Sequence, residues 1–272
     1  MSATIDYEVE YNNRARVPEN PEIMAGWARD AAAYRERHPP RVIRYGPGAR
    51  HVIDLFEGGG DGPIVVFIHG GYWQALDASS SSHLAAGLNA HGIAVAVPSY
   101  DLCPGVSVIR IIGEMREATR ELARLGELLV MSGHSAGGHL AACMLATDWK
   151  KFDASMPENP VIAAYAISGL FDLVPLVETS INKALRLDLI TAKAASPLFW
   201  KAPLRGSLDA VVGEREPSEY FRQSRSIVDT WGSAGLATRF GTVAGANHFT
   251  AIAPLADPGS SMVARLKQLA GR

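Results

Sequence analysis

Leu128-Leu-Val-Met-Ser-Gly-His-Ser-Ala-Gly-Gly-His-Leu-Ala141 decides how the chain is read. Its first four residues are an apolar run too short for a helix, the pattern of a strand buried on both faces. Residues 136–147 then read as a helix rich in small side chains. Between them stands Gly133-His134-Ser135-Ala136-Gly137, a G-x-S-x-G sequence. A serine on so sharp a strand-to-helix turn sits in a strained backbone conformation. Small residues two before and two after it let the flanking backbones approach closely. The helix N-terminus offers free N–H groups and the positive end of its dipole to developing negative charge. Ser135 is therefore the candidate nucleophile.

Strands recur on either side of this turn, and those at 64–68 and 93–97 are buried runs of the same kind. Ile64–Ile68, Ile93–Val97, Val161–Ile167, Asp209–Val212 and Ala237–Val243 read as strands. Leu84–His91, Val106–Arg124, Ser218–Ser233 and Met262–Ala270 read as helices, the first ending at Gly92. Arg41–Tyr45 and His51–Phe56 flank Tyr45-Gly-Pro-Gly48 and predict an antiparallel hairpin. Strands alternating with helices predict an α/β class, with a mostly parallel central sheet, helices on both faces and right-handed crossovers. Together with the serine turn, this is the pattern of an α/β-hydrolase fold. Residues 1–272 are expected to form one domain. Residues 1–40 read as a polar helical extension, and residues 170–205 break the rhythm and are expected to cap the C-terminal edge of the sheet.

A hydroxyl nucleophile needs a base. Of eight histidines, His248 in Gly245-Ala-Asn-His-Phe249 follows the last strand, which suits a chain order of serine, acid, histidine. His134 lies inside the turn and is expected to point away. His69 and His139 are expected to be packing or turn residues, and His38, His51, His83 and His91 surface or helix-end residues. The acid is expected in Gly213-Glu-Arg-Glu-Pro-Ser-Glu219, where Glu214, Glu216 and Glu219 all qualify by position. Pro217 keeps residue 216 extended, which favours Glu216. Glu219 falls in a first helical turn, where a carboxylate is favoured for dipole reasons alone. Asp172 is the outside candidate. His69-Gly-Gly-Tyr-Trp73, directly after a strand, can aim backbone N–H groups at an oxyanion. Gly71, Tyr72 and Ala136 are the expected donors. Tyr72, Trp73 and Phe171 are expected to line an aromatic substrate pocket, with Trp73 and Phe171 as substrate-binding residues.

Composition narrows the alternatives. The chain is 47% hydrophobic and 20% charged, with a net charge of −2, so nothing electrostatic calls for nucleic acid or an anionic membrane. Residues 1–10 are polar and acidic, unlike a secretory signal. No apolar run approaches the roughly 18 residues that a membrane helix needs. A cytoplasmic protein is expected. Cys103 and Cys143 show no metal or redox spacing and read as buried free thiols of a reducing compartment. There is no H-x-x-x-H, no H-E-x-x-H and no carboxylate cluster with metal spacing, so no metal is expected. No G-x-G-x-x-G follows the first buried strand, so no dinucleotide is expected, and no cofactor of any kind. The expected partner is a small-molecule substrate, with a homodimer left open.

These motifs together resemble the kynurenine formamidase (arylformamidase) group, near the hormone-sensitive-lipase-like esterases. His69-Gly-Gly-Tyr-Trp-Gln74 resembles that group's H-G-G-x-W, and Tyr100-Asp-Leu-Cys-Pro104 its Y-x-L-x-P. Ser132–Ala141 resembles its serine elbow. Glu216-Pro-Ser-Glu-Tyr-Phe-Arg-Gln-Ser224 resembles a D/E-S-x-E-F-x-R-Q-S stretch, and His248-Phe249 its H-F. The resemblance puts the family's triad acid on Glu216, a glutamate where animal members carry aspartate. It implies a Ser135-His248-Glu216 serine hydrolase that cleaves an N-formyl aryl amide. Some members are plain esterases, so small acyl esters are the alternative substrate. A non-catalytic binding protein on the same scaffold would lack the nucleophile or the base, and both are present.

Overall fold

The structure is a computed structural model that describes residues 5–272. Its eight strands are β1 (Arg41–Arg44), β2 (Val52–Phe56), β3 (Ile64–Ile68), β4 (Val95–Pro98), β5 (Leu129–His134), β6 (Val161–Ile167), β7 (Ser207–Gly213) and β8 (Ala237–Val243). They form one sheet in the order β1-β2-β4-β3-β5-β6-β7-β8. β1 and β2 make the expected antiparallel hairpin, β2 lies antiparallel to β4, and β3 to β8 are parallel.

β3 shows why the apolar runs carry no alternation. Ile64, Val66 and Ile68 pack into one core, while Val65 and Phe67 pack into the core on the opposite face. Both faces are covered by helices, so neither offers polar residues a solvated side. The helices are α1 (Tyr7–Tyr11), α2 (Asn13–Arg16), α3 (Asn20–Arg37), α4 (Ala86–Asn89), α5 (Val108–Ala123), α6 (Ala136–Leu145), α7 (Trp149–Phe152), α8 (Asn182–Leu185), α9 (Leu189–Ala194), α10 (Ser218–Ser233) and α11 (Ser261–Leu269). α5 is capped by Ser107, whose side chain accepts from Arg110 N, and it turns Ile111, Ile112, Met115 and Leu122 onto the sheet. α11 covers the other face with Met262, Val263 and Leu266.

The helix expected at Leu84–His91 is reduced to the single α-helical turn of α4, Ala86–Asn89, which follows a 3-10 segment, Ala78–Ala85. Its serines are the cause. Ser80 Oγ donates to Asp77 O (2.7 Å), and Asp77 caps the segment through Ser79 N. Short hydroxyl side chains that bond their own backbone compete with a regular helix.

The two segments that interrupt the alternation meet. Residues 170–205 hold α8, α9 and two 3-10 turns rather than one long helix. The N-terminal helices reach this insertion at Glu8, whose carboxylate accepts from both the N–H and the hydroxyl of Ser180 (2.7 Å each). Farther along, Tyr34 donates to Asn89 (2.6 Å) and Arg35 pairs with Asp54, fixing α3 to the body of the fold. Both cysteines are free and buried, and burial pushes the Cys103 thiol up to about 11. Among the described residues, no helix is long and apolar enough to cross a membrane.

Candidate active site

β3 and β5 are adjacent parallel strands, in a register that pairs Ile68 with Gly133. The chain leaves both at the same sheet edge, where strand order reverses and α/β folds place their sites. This juxtaposition brings His69–Trp73 beside Ser135, although 66 residues separate His69 from Ser135.

The elbow is strained. Ser135 has φ 55° and ψ −116°, and its N–H donates to Ile167 O (2.8 Å). Only a glycine fits at 137, because a Cβ there would lie 1.9 Å from Ile68 O. A Cβ on Gly133 would meet Gly137 O at 2.3 Å. The candidate oxyanion turn, residues 69–73, is strained as well, with φ of 98° at Gly71, 49° at Tyr72 and 56° at Trp73. Left-handed backbone costs a non-glycine residue about 1–2 kcal/mol, so tertiary contacts must impose it. Trp73 is wholly buried and its carbonyl accepts from Cys103 N (2.8 Å). Tyr100 donates to His69 O (3.0 Å) and stacks on the His69 ring at 4.2 Å. Burial holds the His69 imidazole down to about 4, so it packs as a neutral ring. Among the described residues, the N–H groups of Gly71, Tyr72 and Ala136 donate to no other group.

The candidate base and acid come from the turns after β8 and β7. His248 Nδ1 donates to Glu216 Oε2 (2.7 Å). Glu216 Oε1 accepts from Gly213 N (2.7 Å) and Ser168 Oγ (2.5 Å). The other acid candidates are committed elsewhere. Glu219 binds Tyr11 and Arg222, Glu214 accepts from Gly245 N, and Asp172 pairs with Arg222. His248 Nδ1 is thus occupied, leaving Nε2 as its free nitrogen.

Ser135, His134 and His248 open onto a cavity of about 400 Å³. The N-terminal extension supplies much of its wall, including Glu8, Tyr11, Asn13, Arg14 and Trp27, and the insertion adds Ser180 and Ile181. Three expectations need correcting here. Trp73 and Phe171 do not line the cavity, because both are wholly buried core residues. Trp73 instead meets His139 edge-on at 5.0 Å. The aromatic wall is made by Trp27 and Phe249, whose ring centroids are 6.1 Å apart, and by Tyr72. His134 does not point away. Its ring lies 4.6 Å from that of His248, and its Nε2 donates to His248 O (2.9 Å). Burial and the neighbouring His248 hold it well below the ordinary histidine range.

The third correction concerns His51, which is buried and not on the surface. It converges with Asp101 and Glu114, three residues too far apart in sequence to form a local motif. Gly48 N donates to His51 Nδ1 (3.2 Å), so Nε2 carries the proton and faces Asp101 (3.3 Å) and Glu114 (3.5 Å). A protonated ring nitrogen has no lone pair to offer a metal, and this one has no hydrogen-bond partner in the structure. Arg110 also binds Glu114 (3.1 Å), and the set ties the hairpin to α5.

Residues 65–218 match a family model described as alpha/beta hydrolase fold. The chain belongs to that family. It is a hydrolase, and the resemblance to arylformamidases extends over most of its length. It is 29% identical over 242 residues to the kynurenine formamidase of Danio rerio, covering 85% of this chain and 81% of that one. A crystal structure from Silicibacter sp. tm1040, provisionally named a thioesterase, is 35% identical and superposes with a TM-score of 0.84, covering 96% of this chain and 98% of that one. A Pyrobaculum calidifontis esterase shares the fold, with a TM-score of 0.70 and 17% identity over 92% of this chain and 93% of its own.

Sequence reading missed Ser168, Tyr220 and the N-terminal wall. Ser168 had a faint signal, a polar residue placed directly after the buried β6. Tyr11, Asn13 and Arg14 had none, since short polar helices look alike whether they cover a site or face solvent.

Proposed function

We propose that the protein is an arylformamidase that cleaves N-formyl aryl amides through a formyl-enzyme on Ser135. The observation that carries this reading is the His248–Glu216 pair facing the same cavity as the strained Ser135. Similarity to kynurenine formamidases supports the amide substrate. Trp27 and Phe249 offer faces for an aromatic leaving group.

In this reading Ser135 Oγ attacks the formyl carbon while His248 Nε2 takes its proton. Glu216 holds the imidazole in the tautomer that leaves Nε2 free and stabilises the imidazolium that forms. The N–H groups of Gly71, Tyr72 and Ala136 bind the oxyanion. The C–N bond then breaks, and His248 gives its proton to the departing arylamine. Water, deprotonated by His248, attacks the formyl ester, and formate leaves as Ser135 regains its proton. Ser135 Oγ has no hydrogen-bond partner in this structure, and resting sites of this kind often tighten only with substrate bound. Formyl is the smallest acyl group, and an arylamine leaves more readily than an alkylamine.

Hydrolysis of N-formylkynurenine beside short p-nitrophenyl esters and thioesters tests the reading. A much higher kcat/KM on the formyl amide upholds it. Turnover of esters alone makes the protein a carboxylesterase, the second reading, favoured by the esterase that shares its fold.

A further inference from the structure

The oxyanion turn follows β3 and the base follows β8, four strands away along the sheet. Three hydroxyl and amide groups bridge them. Tyr72 Oη donates to Tyr11 O (2.7 Å) and meets Tyr220 Oη at 2.7 Å. Asn13 Nδ2 donates to Tyr220 Oη (2.6 Å) and to Tyr72 Oη (3.2 Å). The protons can be assigned. Tyr72 spends its only proton on Tyr11 O, so Tyr220 donates to Tyr72, and both Asn13 protons are used. The Tyr220 ring in turn lies 4.8 Å from the His248 ring, which also has the His134 ring at 4.6 Å.

From this geometry we propose that the Tyr72 hydroxyl is a positioning group that keys the oxyanion turn to Tyr220 and the wall holding His248, with Tyr11 and Asn13 of the N-terminal extension completing the lock. The proposal rests on Ser135 being the nucleophile. Its consequence is that the extension is part of the catalytic apparatus and not merely a cover over it.

Two further observations support this. Tyr72 has a left-handed backbone (φ 49°) at the residue whose N–H is an oxyanion donor. Its backbone is gripped on one side by buried Trp73 and its side chain on the other by the hydroxyl node, so loss of the node frees one side of a strained turn. The extension is itself firmly seated: Tyr11 Oη donates to Glu219 (2.7 Å) and accepts from Gln223 Nε2 (2.8 Å). Gln223 Oε1 then accepts from Phe171 N and Asp172 N (2.8 Å each), which joins the lock to the insertion. Burial raises both Tyr72 and Tyr220 well above the ordinary tyrosine range, so neither phenol ionises at neutral pH and the proton pattern persists.

Tyr72→Phe, Tyr220→Phe and their double variant keep the rings and remove the node. Each is assayed for kcat and KM on p-nitrophenyl acetate and N-formylkynurenine, for phenylboronic acid inhibition, for the rate of fluorophosphonate labelling, and for Tm. Each single change is expected to lower kcat about ten- to hundredfold, approaching the loss of one oxyanion donor, with KM within about twofold. Boronate affinity and the labelling rate should fall in parallel, because both adducts place an oxygen in the oxyanion site. The double variant should be no worse than the poorer single, since both break one node. Asn13→Ala, at the cavity wall, should act in the same direction if either phenylalanine variant folds poorly. Unchanged kcat with a lowered Tm would leave the node a purely structural feature. Additive losses, or a rise in KM alone, would also overturn the proposal. Substrate assignment is separable: if the ester is hydrolysed and the formyl amide is not, the proposed function fails while the node is still read on the ester and the labelling rate.

Discussion

Glu216 Oε2 accepts from His248 Nδ1 at 2.7 Å, and its other oxygen is fixed by Gly213 N and Ser168 Oγ. The carboxylate therefore has one free role, to orient the imidazole. Glu216→Gln should lower kcat by roughly 10³–10⁴, because an amide can donate to Nδ1 and trap the wrong tautomer. Glu216→Asp keeps the charge but shortens the reach, and should cost about tenfold. Ser168→Ala removes one of the two restraints on Oε1 and should fall in the same range as the aspartate variant. Stopped-flow or steady-state kcat values settle the order. Equal activity of the glutamine and aspartate variants would mean that Glu216 does not set the His248 tautomer.

Among the described residues, Arg14 is the only lysine or arginine on the cavity wall, and its guanidinium has no hydrogen-bond or ion-pair partner there. If the substrate is an N-formylated aryl amino acid, its carboxylate is the natural partner. Arg14→Gln should raise KM for N-formylkynurenine about tenfold, the scale of one exposed charge-assisted hydrogen bond. N-formylaniline, which has no carboxylate, should be unaffected. Equal effects on the two substrates would show that Arg14 shapes the cavity without reading charge.

The parts of the site that were legible in the sequence are those where the local backbone demands a residue type. Gly133, Ser135 and Gly137 announce an elbow because no other spacing lets β5 turn so sharply into α6. The runs of β3, β4 and β6 announce a parallel sheet because burial on both faces suppresses alternation. Glu216 could be ranked above Glu214 and Glu219 through Pro217, but only the register of β7 and β8 brings it to His248. Trp73 misled because an aromatic residue beside a catalytic turn looks the same whether it points at substrate or anchors the turn from below. The extension was illegible for another reason. Its place is set by long-range hydrogen bonds, such as Tyr11 to Glu219 across 208 residues, which leave no periodic trace.

Gly137→Ala is a sharper structural test than any core truncation. A Cβ at 137 would overlap Ile68 O, at 1.9 Å, and His69 O, at 2.8 Å, both backbone atoms that no rotamer change can relieve. Accommodating it means prying β3 from α6 beneath the oxyanion turn. The variant should be insoluble or lose more than about 3 kcal/mol of stability, more than typical single substitutions. Gly113→Ala serves as control, since a Cβ there meets nothing within 4 Å and sits in a helix. It should be neutral or slightly stabilising. A soluble Gly137→Ala protein with native Tm would mean that the elbow is looser than its geometry implies.

Acid lability should come first from histidines, not carboxylates. Burial lowers His69 and His139 from the ordinary 6.5 to about 4, and burial and the neighbouring His248 hold His134 well below 6.5. The unfolded chain takes up these protons near pH 6.5, whereas the folded chain resists them until about pH 4. Unfolding therefore binds protons in this window, and stability, intact above the unfolded value, drains away as pH falls through it. Each histidine contributes a slope of up to about 1.4 kcal/mol per pH unit, and three give about 4 at the steepest point. Urea unfolding at half-unit steps from pH 7.5 to 4.5 measures that slope. His139→Gln keeps a donor for Ala195 O, now accepting from His139 Nε2 at 2.7 Å, and should flatten the curve by about one third whatever its effect at pH 7.5. A profile level down to pH 5, or a slope untouched by His139→Gln, would mean that these rings take up protons in the native state and are not the buried neutral groups their packing makes them.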